Sequence, residues 1–436
     1  MTESAETDDR RAPRVPVATD ERGQIPTTLT RWRSGLLSTV TELLRPRSHV
    51  TPLEPGWALP VVLIWIAGRA LNLALLYVAF AVSKLGGWSG PDQQQVTTFL
   101  NFLSGWDAAR YGAIAGQGYP LALPFDAQGS VEPNDWAFLP VFPFLERALA
   151  SATGAPWQLA GVVVSTSASA AACLALYALL RHVVGRDQAW WAVVLFSLGP
   201  LSIVFVLGYA ESLFLFLVFS ALLLAVRRRY LLIAPLGVVA AFTRPGAVAL
   251  ALALGILLLG RWMLRAEDPL TRSEAIGLIV SGSATAVAGI MWPIIAGLTT
   301  GAPDAYVQTE MAWWVPILGG EEPVPLTPGL VMGWRWLGPL GVAIVLGVIV
   351  TAFRWMLSRP VRALGLEIVG FVMSYTLYLF VVFLPTQAIA RLLLPLAPLL
   401  ADDRLSRTRR RRVCAVAACI VLQAGAVILL WTIGNP

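Results

Sequence analysis

"WALPVVLIWIAGRALNLALLYVAFAV", residues 57–82, carries a single charge, Arg69, in 26 positions. At 1.5 Å per residue a helix of that length crosses the ~30 Å hydrocarbon core of a bilayer. The stretch therefore reads as a membrane span, and the rest of the chain repeats it. Of 436 residues, 57% are hydrophobic and 13% charged, where soluble domains have about 25% charged residues. Mean hydropathy is +0.69. Further apolar runs lie at 157–181, 188–207, 209–226, 230–243, 246–264, 274–299, 329–353, 364–384, 388–401 and 413–433. The expected fold is an all-α integral membrane bundle of about eleven transmembrane helices. The runs at 230–243 and 388–401 are short for a crossing, which predicts tilted, broken or re-entrant segments.

The net charge of +6 does not imply a nucleic-acid partner. Arginines fall in short clusters between the apolar runs: Arg45/Arg47, Arg181/Arg186, Arg227 to Arg229, Arg261/Arg265/Arg272, Arg354/Arg359/Arg362 and Arg404 to Arg412. With the N-terminus inside, every cluster lands on the cytoplasmic side, as the positive-inside rule requires. The opposite side then holds two long loops, about 84–156 and 300–328, where Asp92, Asp107, Asp126, Glu132, Asp135, Asp304, Glu310, Glu321 and Glu322 collect. Residues 1–50 read as a disordered cytoplasmic tail, with a short interfacial helix around "TRWRSGLLSTVTELL". The first span begins too far in and runs too long for a cleaved signal peptide. Residues 402–436 read as a basic cytoplasmic loop and a last span, leaving 51–401 as the main transmembrane domain. Cys173, Cys414 and Cys419 lie in apolar segments and suggest no disulfide framework; two histidines make a histidine-rich metal site implausible.

Just after the first span comes "FLSGWDAARYGAIAGQGYP", 102–120. Between Trp106 and Gln117 it has no proline, and Asp107, Arg110/Tyr111 and Ile114 share one helical face. The expectation is an interfacial helix on the outer surface, closed by Gly and Pro. Periodicity alone favours an ordinary loop helix, with Asp107 as its cap or as the ion-pair partner of Arg110. "EPNDWAFLPVFPFLERALA", 132–150, adds Asp135 to an aromatic, interfacial segment. "GYAESLF" puts Glu211 at the outer end of a span, where a snorkelling carboxylate is the plainer alternative. Arg244 in "AFTRPGAV" and Arg391 in "QAIARLLLPLAPLL" stand on the arginine-poor side, against the topology signal. Arg69 lies at mid-depth, where a charge is costly and marks a functional site or a buried ion pair. Arginines suit a phosphate, and an interfacial carboxylate can deprotonate a hydroxyl. The set points to transfer from a lipid-linked phosphate at the outer surface.

The motif series resembles the PIG-V type family, the second mannosyltransferases of GPI-anchor assembly, with their bacterial relatives in the GT-C superfamily. The resemblance rests on "WDAARYGAIAGQGY", "AFLPVFPFL", "YAESLF" and "AFTRPGAV", with "YVQTEMAWW" and "ARLLLPLAPLL" as weaker matches, in order across about residues 57–401. Leu139 and Phe142 depart from the family's usual Phe and Tyr. The resemblance implies a GT-C-like bundle and an inverting transferase in the cell membrane. Its donor would be a polyprenyl-phosphate sugar, mannose by analogy, and its acceptor an extracytoplasmic glycolipid, lipoglycan or glycoprotein. It implies Asp107 as general base with Asp135 second, and Arg244, Arg391 and Arg110 at the donor phosphate. Trp106, Tyr111, Tyr119 and Glu211 would shape the sugar and acceptor pocket. No metal or other cofactor is implied. The rival classes are a transporter or flippase of lipid-linked saccharides, which Arg69 fits better, and a non-catalytic scaffold. The oligomeric state is left open.

Overall fold

The computed structural model describes residues 42–43, 51–86, 96–318, 326–382 and 388–433. Apart from residues 42–43 the expected tail 1–50 lies outside them, as do Asp92, Glu321 and Glu322. Residues Pro46–Pro436 form one compact unit. Among the described residues the secondary structure is helical apart from a single antiparallel bridge between Phe125 and Val131. Six helices are long and apolar enough to cross a membrane: Ala58–Gly86, Trp157–Arg181, Pro245–Met263, Arg272–Thr300, Pro339–Met356 and Arg409–Thr432. The chain is an all-α, multi-pass membrane protein.

The first span, α1 (Ala58–Gly86), buries a stripe that includes Gly68, Arg69, Asn72, Leu76 and Ala79. A Cβ on Gly68 would run into Ser197, so the glycine sets how closely the helices approach. Among the described residues Arg69 has no ion-pair partner. It donates to Asn72 Oδ1 and to Ser197 O, both at 2.9 Å, while its guanidinium lies 4.9 Å over the Phe205 ring. Ser197 ends α5 (Arg186–Ser197), so a cation caps the negative end of a broken helix. Arg69 thus ties α1 to that break.

Three of the expected runs are interrupted, one of them, 329–353, at Gly338, which divides it into Pro328–Leu337 and Pro339–Met356. The run 188–207 stops at Ser197, turns at Gly199 and Pro200, and resumes as a 3₁₀ helix, Ser202–Val206. The run 388–401 becomes a one-turn helix, Ile389–Leu392, and a 3₁₀ helix, Leu394–Ala401, because Pro395 and Pro398 cannot donate to an α-helical ladder. Shorter apolar helices take the places of three more runs: Glu211–Val226, Tyr230–Ala241 and Leu366–Val382. These breaks explain why six helices, rather than about eleven, have full crossing length.

Between α1 and α5 lie α2 (Asp107–Gln117), α3 (Val141–Thr153) and α4 (Trp157–Arg181). The buried side of α4 includes Gly161, Ser165, Ala168, Ser169 and Ala172, small residues that admit α6 (Glu211–Val226) closely, with Ser165 and Ser212 hydroxyls 3.1 Å apart. At the other end of the same pair, Arg227 Nε donates to His182 Nε2 at 2.9 Å. The two helices therefore run parallel, and 16 residues of α6 separate Glu211 from Arg227 by ~24 Å. Arg181 with Glu54, Arg228 with Asp268, Arg404 with Asp402 and Arg412 with Asp187 are paired in the arginine-rich segments. His182–Arg227 and Arg181–Glu54 mark that end of the bundle; Glu211 marks the opposite one.

Candidate functional site

Asp107 is the first residue of α2. Trp106 before it takes φ 56°, a left-handed conformation unusual for a bulky residue, and supplies no side-chain cap. The Asp107 carboxylate is thus neither a cap nor the partner of Arg110. It accepts a hydrogen bond from Arg391 Nη1. The same nitrogen donates to Glu211 Oε1 at 3.2 Å, and Arg244 Nη1 pairs with that oxygen at 2.8 Å. Four segments far apart in sequence so build one row of alternating charge: Asp107, Arg391, Glu211, Arg244.

Each member is delivered by a helix start or a break. Glu211 begins α6; Arg391 sits in the one-turn helix before the Pro395 segment. Arg244 is extended (φ −151°) between α7 (Ile233–Ala241) and the Pro245 turn that opens α8 (Val248–Met263). Irregular backbone at membrane depth is tolerated where it lines a cavity or is buried in protein. Side-chain exposure rises from 4% at Glu211 through 12% at Arg391 and 16% at Arg244 to 21% at Asp107. The row therefore opens at Asp107, with Glu211 as its buried counter-ion. Glu211 Oε2, Arg391 Nε and the Tyr209 hydroxyl are buried without a partner. An unmet buried polar group costs about 1–3 kcal/mol, so these atoms suit a polar ligand or water.

Tyr209 lies under this row, its ring 5.1 Å from the Arg391 guanidinium carbon. Trp431 meets Tyr209 at 5.8 Å and donates from Nε1 to Phe102 O at 3.2 Å. The last helix, α14 (Arg409–Ala426), and its π-helical continuation Val427–Ile433 thereby prop the site from behind.

Arg110 and Asp135 stand apart from the row, paired with each other at 3.3 Å. Asp135 rides on a 3₁₀ turn, Asp135–Ala137, whose cap Asn134 accepts from Trp136 N and donates to Thr309 Oγ1 at 3.0 Å. Burial pushes the Asp135 carboxyl up, and Arg110 pulls it partly back. Tyr111 is buried, with Phe138 at 5.3 Å and Phe142 at 4.9 Å. Tyr119 stacks on Trp136 at 4.8 Å and meets Trp292 at 4.9 Å, while its hydroxyl donates to Phe138 O at 2.8 Å. Both tyrosines hold the first loop together. Trp106 is half-buried, and its indole N–H has no partner.

The structure adds residues beside the row that periodicity did not single out as functional. Helix α10 (Ala305–Leu318) presents Tyr306 and Glu310 one turn apart and in contact, and α13 (Leu366–Val382) adds Tyr378; Arg244 lies near all three. Burial pushes the Glu310 carboxyl up to about 7, with Tyr306 and Arg244 opposing. The spacing of "YVQTE" held this signal, but a tyrosine and a glutamate one turn apart are common on any helix. Among the described residues no group of three His, Cys, Asp or Glu stands ready for a metal. A cavity of about 370 Å³, lined by Glu54, Trp57, Tyr177, Arg186 and Trp190 among others, lies at the arginine-rich end and is not part of this site.

Fold and site thus define a multi-pass, all-α membrane protein with a buried row of paired acids and arginines at one end. No family model matches the chain. Curated relatives similar to it include GPI alpha-1,6-mannosyltransferase 2 of Rattus norvegicus, 32% identical over 157 residues, which are 33% of this chain and 29% of that protein. The Mus musculus protein of the same name is 32% identical over 147 residues, 31% of this chain and 27% of its own. The chain spans less than a third of the length of these relatives. They support, at family level, the resemblance to PIG-V-type mannosyltransferases that the motifs carry. Similar solved structures include the Archaeoglobus fulgidus oligosaccharyltransferase in complex with zinc and sulfate, 13% identical, TM-score 0.41, over 86% of this chain and 53% of that one. The apo form of that enzyme gives 12% identity and a TM-score of 0.42, over 84% and 56%. These scores are too low to equate the two folds.

Proposed function

We propose that this protein is an inverting glycosyltransferase of the cell membrane. It moves a mannosyl residue from a polyprenyl-phosphate carrier to a hydroxyl on an envelope glycolipid, lipoglycan or glycoprotein. The observation that supports this most is the Asp107–Arg391–Glu211–Arg244 row, at the end of the bundle opposite the His182–Arg227 contact. By the positive-inside rule the row faces outward and the N-terminus lies in the cytoplasm.

The charges of the row suit this chemistry. The acceptor hydroxyl gives its proton to Asp107 as its oxygen attacks the anomeric carbon. The bond from that carbon to the phosphate oxygen breaks, and its electron pair stays on the phosphate. One negative charge leaves Asp107 as one appears on the phosphate, so the row and the bound phosphate together keep their total charge through the step. Arg391 now holds Asp107; with donor bound, its guanidinium turns toward the phosphate and frees the carboxylate. Arg391 and Arg244 take the phosphate charge that a metal takes elsewhere. Glu211 holds both arginines in place. Arg110, Asp135, Tyr111 and Tyr119 fix the first loop, and Trp106 stands next to Asp107 at the start of α2.

The donor class is tested in membranes containing the full chain, with labelled polyprenyl-phosphate-mannose and extracted envelope glycolipid. Transfer from the lipid donor is the expected result. Transfer from a nucleotide-sugar alone overturns it.

A further inference from the structure

On α10, Tyr306, Glu310 and Trp313 fall at i, i+4 and i+7, one stripe of the helix about 10 Å long. The stripe begins beside Arg244 and ends at the first outer loop, where the Trp313 ring lies 5.4 Å from the Arg110 guanidinium and 6.0 Å from Phe138. All three residues are half-buried, so the stripe keeps some exposed surface, while Tyr306 also packs against the Trp136–Trp292 cluster. Glu310 touches the Tyr306 phenol and has no ion pair among the described residues. The Trp313 indole N–H is buried and without a partner. A carboxyl without a salt bridge and a donor without an acceptor both cost stability, and nothing in the row of charges requires either. A phenol, a carboxyl and an indole N–H in line are the groups that meet the hydroxyls and the C–H face of a sugar ring.

We infer that the Tyr306–Glu310–Trp313 stripe of α10 is a saccharide-binding subsite, which places one hexose ring beside the Arg244 end of the charged row. The inference rests on the glycosyltransferase reading. The donor carries a hexose, as does a glycolipid or lipoglycan acceptor, and the stripe's reach from Arg244 toward the outer loop favours the acceptor's.

The test uses the full chain in membranes, with Glu310→Gln and Tyr306→Phe, which keep the shape of the side chain, and Trp313→Phe, which keeps an aromatic ring but removes the indole N–H. Labelled polyprenyl-phosphate-mannose and extracted envelope glycolipid are varied in turn. The expected result is an acceptor KM about tenfold higher in Glu310→Gln and Trp313→Phe, the loss of one hydrogen bond to a sugar. Donor KM and kcat at saturating acceptor should stay within about twofold. A rise in donor KM alone assigns the stripe to the donor's sugar. Unchanged KM values for both substrates overturn the subsite. A second readout needs no turnover: mannobiose at millimolar concentration should raise the Tm of wild type and of Asp107→Asn, but not of Glu310→Gln or Trp313→Phe. If no transfer occurs but this pattern holds, the transferase reading fails and the subsite stands. If mannobiose shifts all four proteins equally, or none, the subsite fails.

Discussion

Arg391 illustrates at the scale of one residue why the arginines of the row are not interchangeable with lysine. One guanidinium nitrogen meets both Asp107 and Glu211, and a second, Nε, is buried without a partner; a lysine could make the first two contacts but has no second nitrogen for a phosphate oxygen. Arg391→Lys should keep the protein folded and raise donor KM about tenfold. Arg391→Ala leaves Glu211 buried with half its counter-charge, which costs about 3–5 kcal/mol; thermal melts in detergent should show a large loss of folded protein. Glu146 gives a second prediction. It is 1% exposed, its Oε1 has no partner, and burial pushes its carboxyl from 4.5 up to about 8. The folded state therefore holds the proton more tightly than the unfolded chain between those values. Stability falls as pH rises from about 4.5 to about 8 and is flat above. Glu146→Gln should remove that slope and melt higher than wild type at pH 9; an unchanged slope would mean that Glu146 is not the buried acid.

Among the elements, α2 shows what was legible in the sequence and what was not. Its helix was, because Trp106 to Gln117 lack proline and end on glycine, and the observed bounds are Asp107–Gln117. Its partner was not: Asp107 meets Arg391 across 284 positions, a contact that no local pattern encodes. The broken runs were legible in part. The run 388–401 is too short for a crossing and reads as tilted, broken or re-entrant, and Pro395 and Pro398 do divide it, with Arg391 in the turn before them; 188–207 reads as continuous, whereas Gly199–Pro200 divides it. The seating of α2 is also tertiary. A Cβ on Gly112 would run into the Trp157 ring at the start of α4. Gly112→Val should lower stability by about 1–3 kcal/mol and reduce activity in step, because α2 must shift with Asp107 on it. Equal melting of variant and wild type would show that α2 does not rest on Trp157.

For the whole molecule, the split into two ends is the feature the sequence carried best. Arginine clusters and acidic loops alternate along the chain because a membrane separates them. A cysteine-labelling map tests the orientation once Cys173, Cys414 and Cys419 are replaced. In intact cells an impermeant maleimide should label a cysteine at Leu121, which is 78% exposed in the first loop, and should spare one at Arg407. The reverse pattern would turn the site to the cytoplasm. The central claim is that Asp107 takes the acceptor's proton. Transfer of labelled mannose from polyprenyl-phosphate-mannose to envelope glycolipid, by wild type and Asp107→Asn at matched protein level, tests it most directly. A general base contributes about 10²–10⁴-fold, so the variant should fall at least a hundredfold while keeping the wild-type melting profile; transfer at the wild-type rate in Asp107→Asn would contradict it.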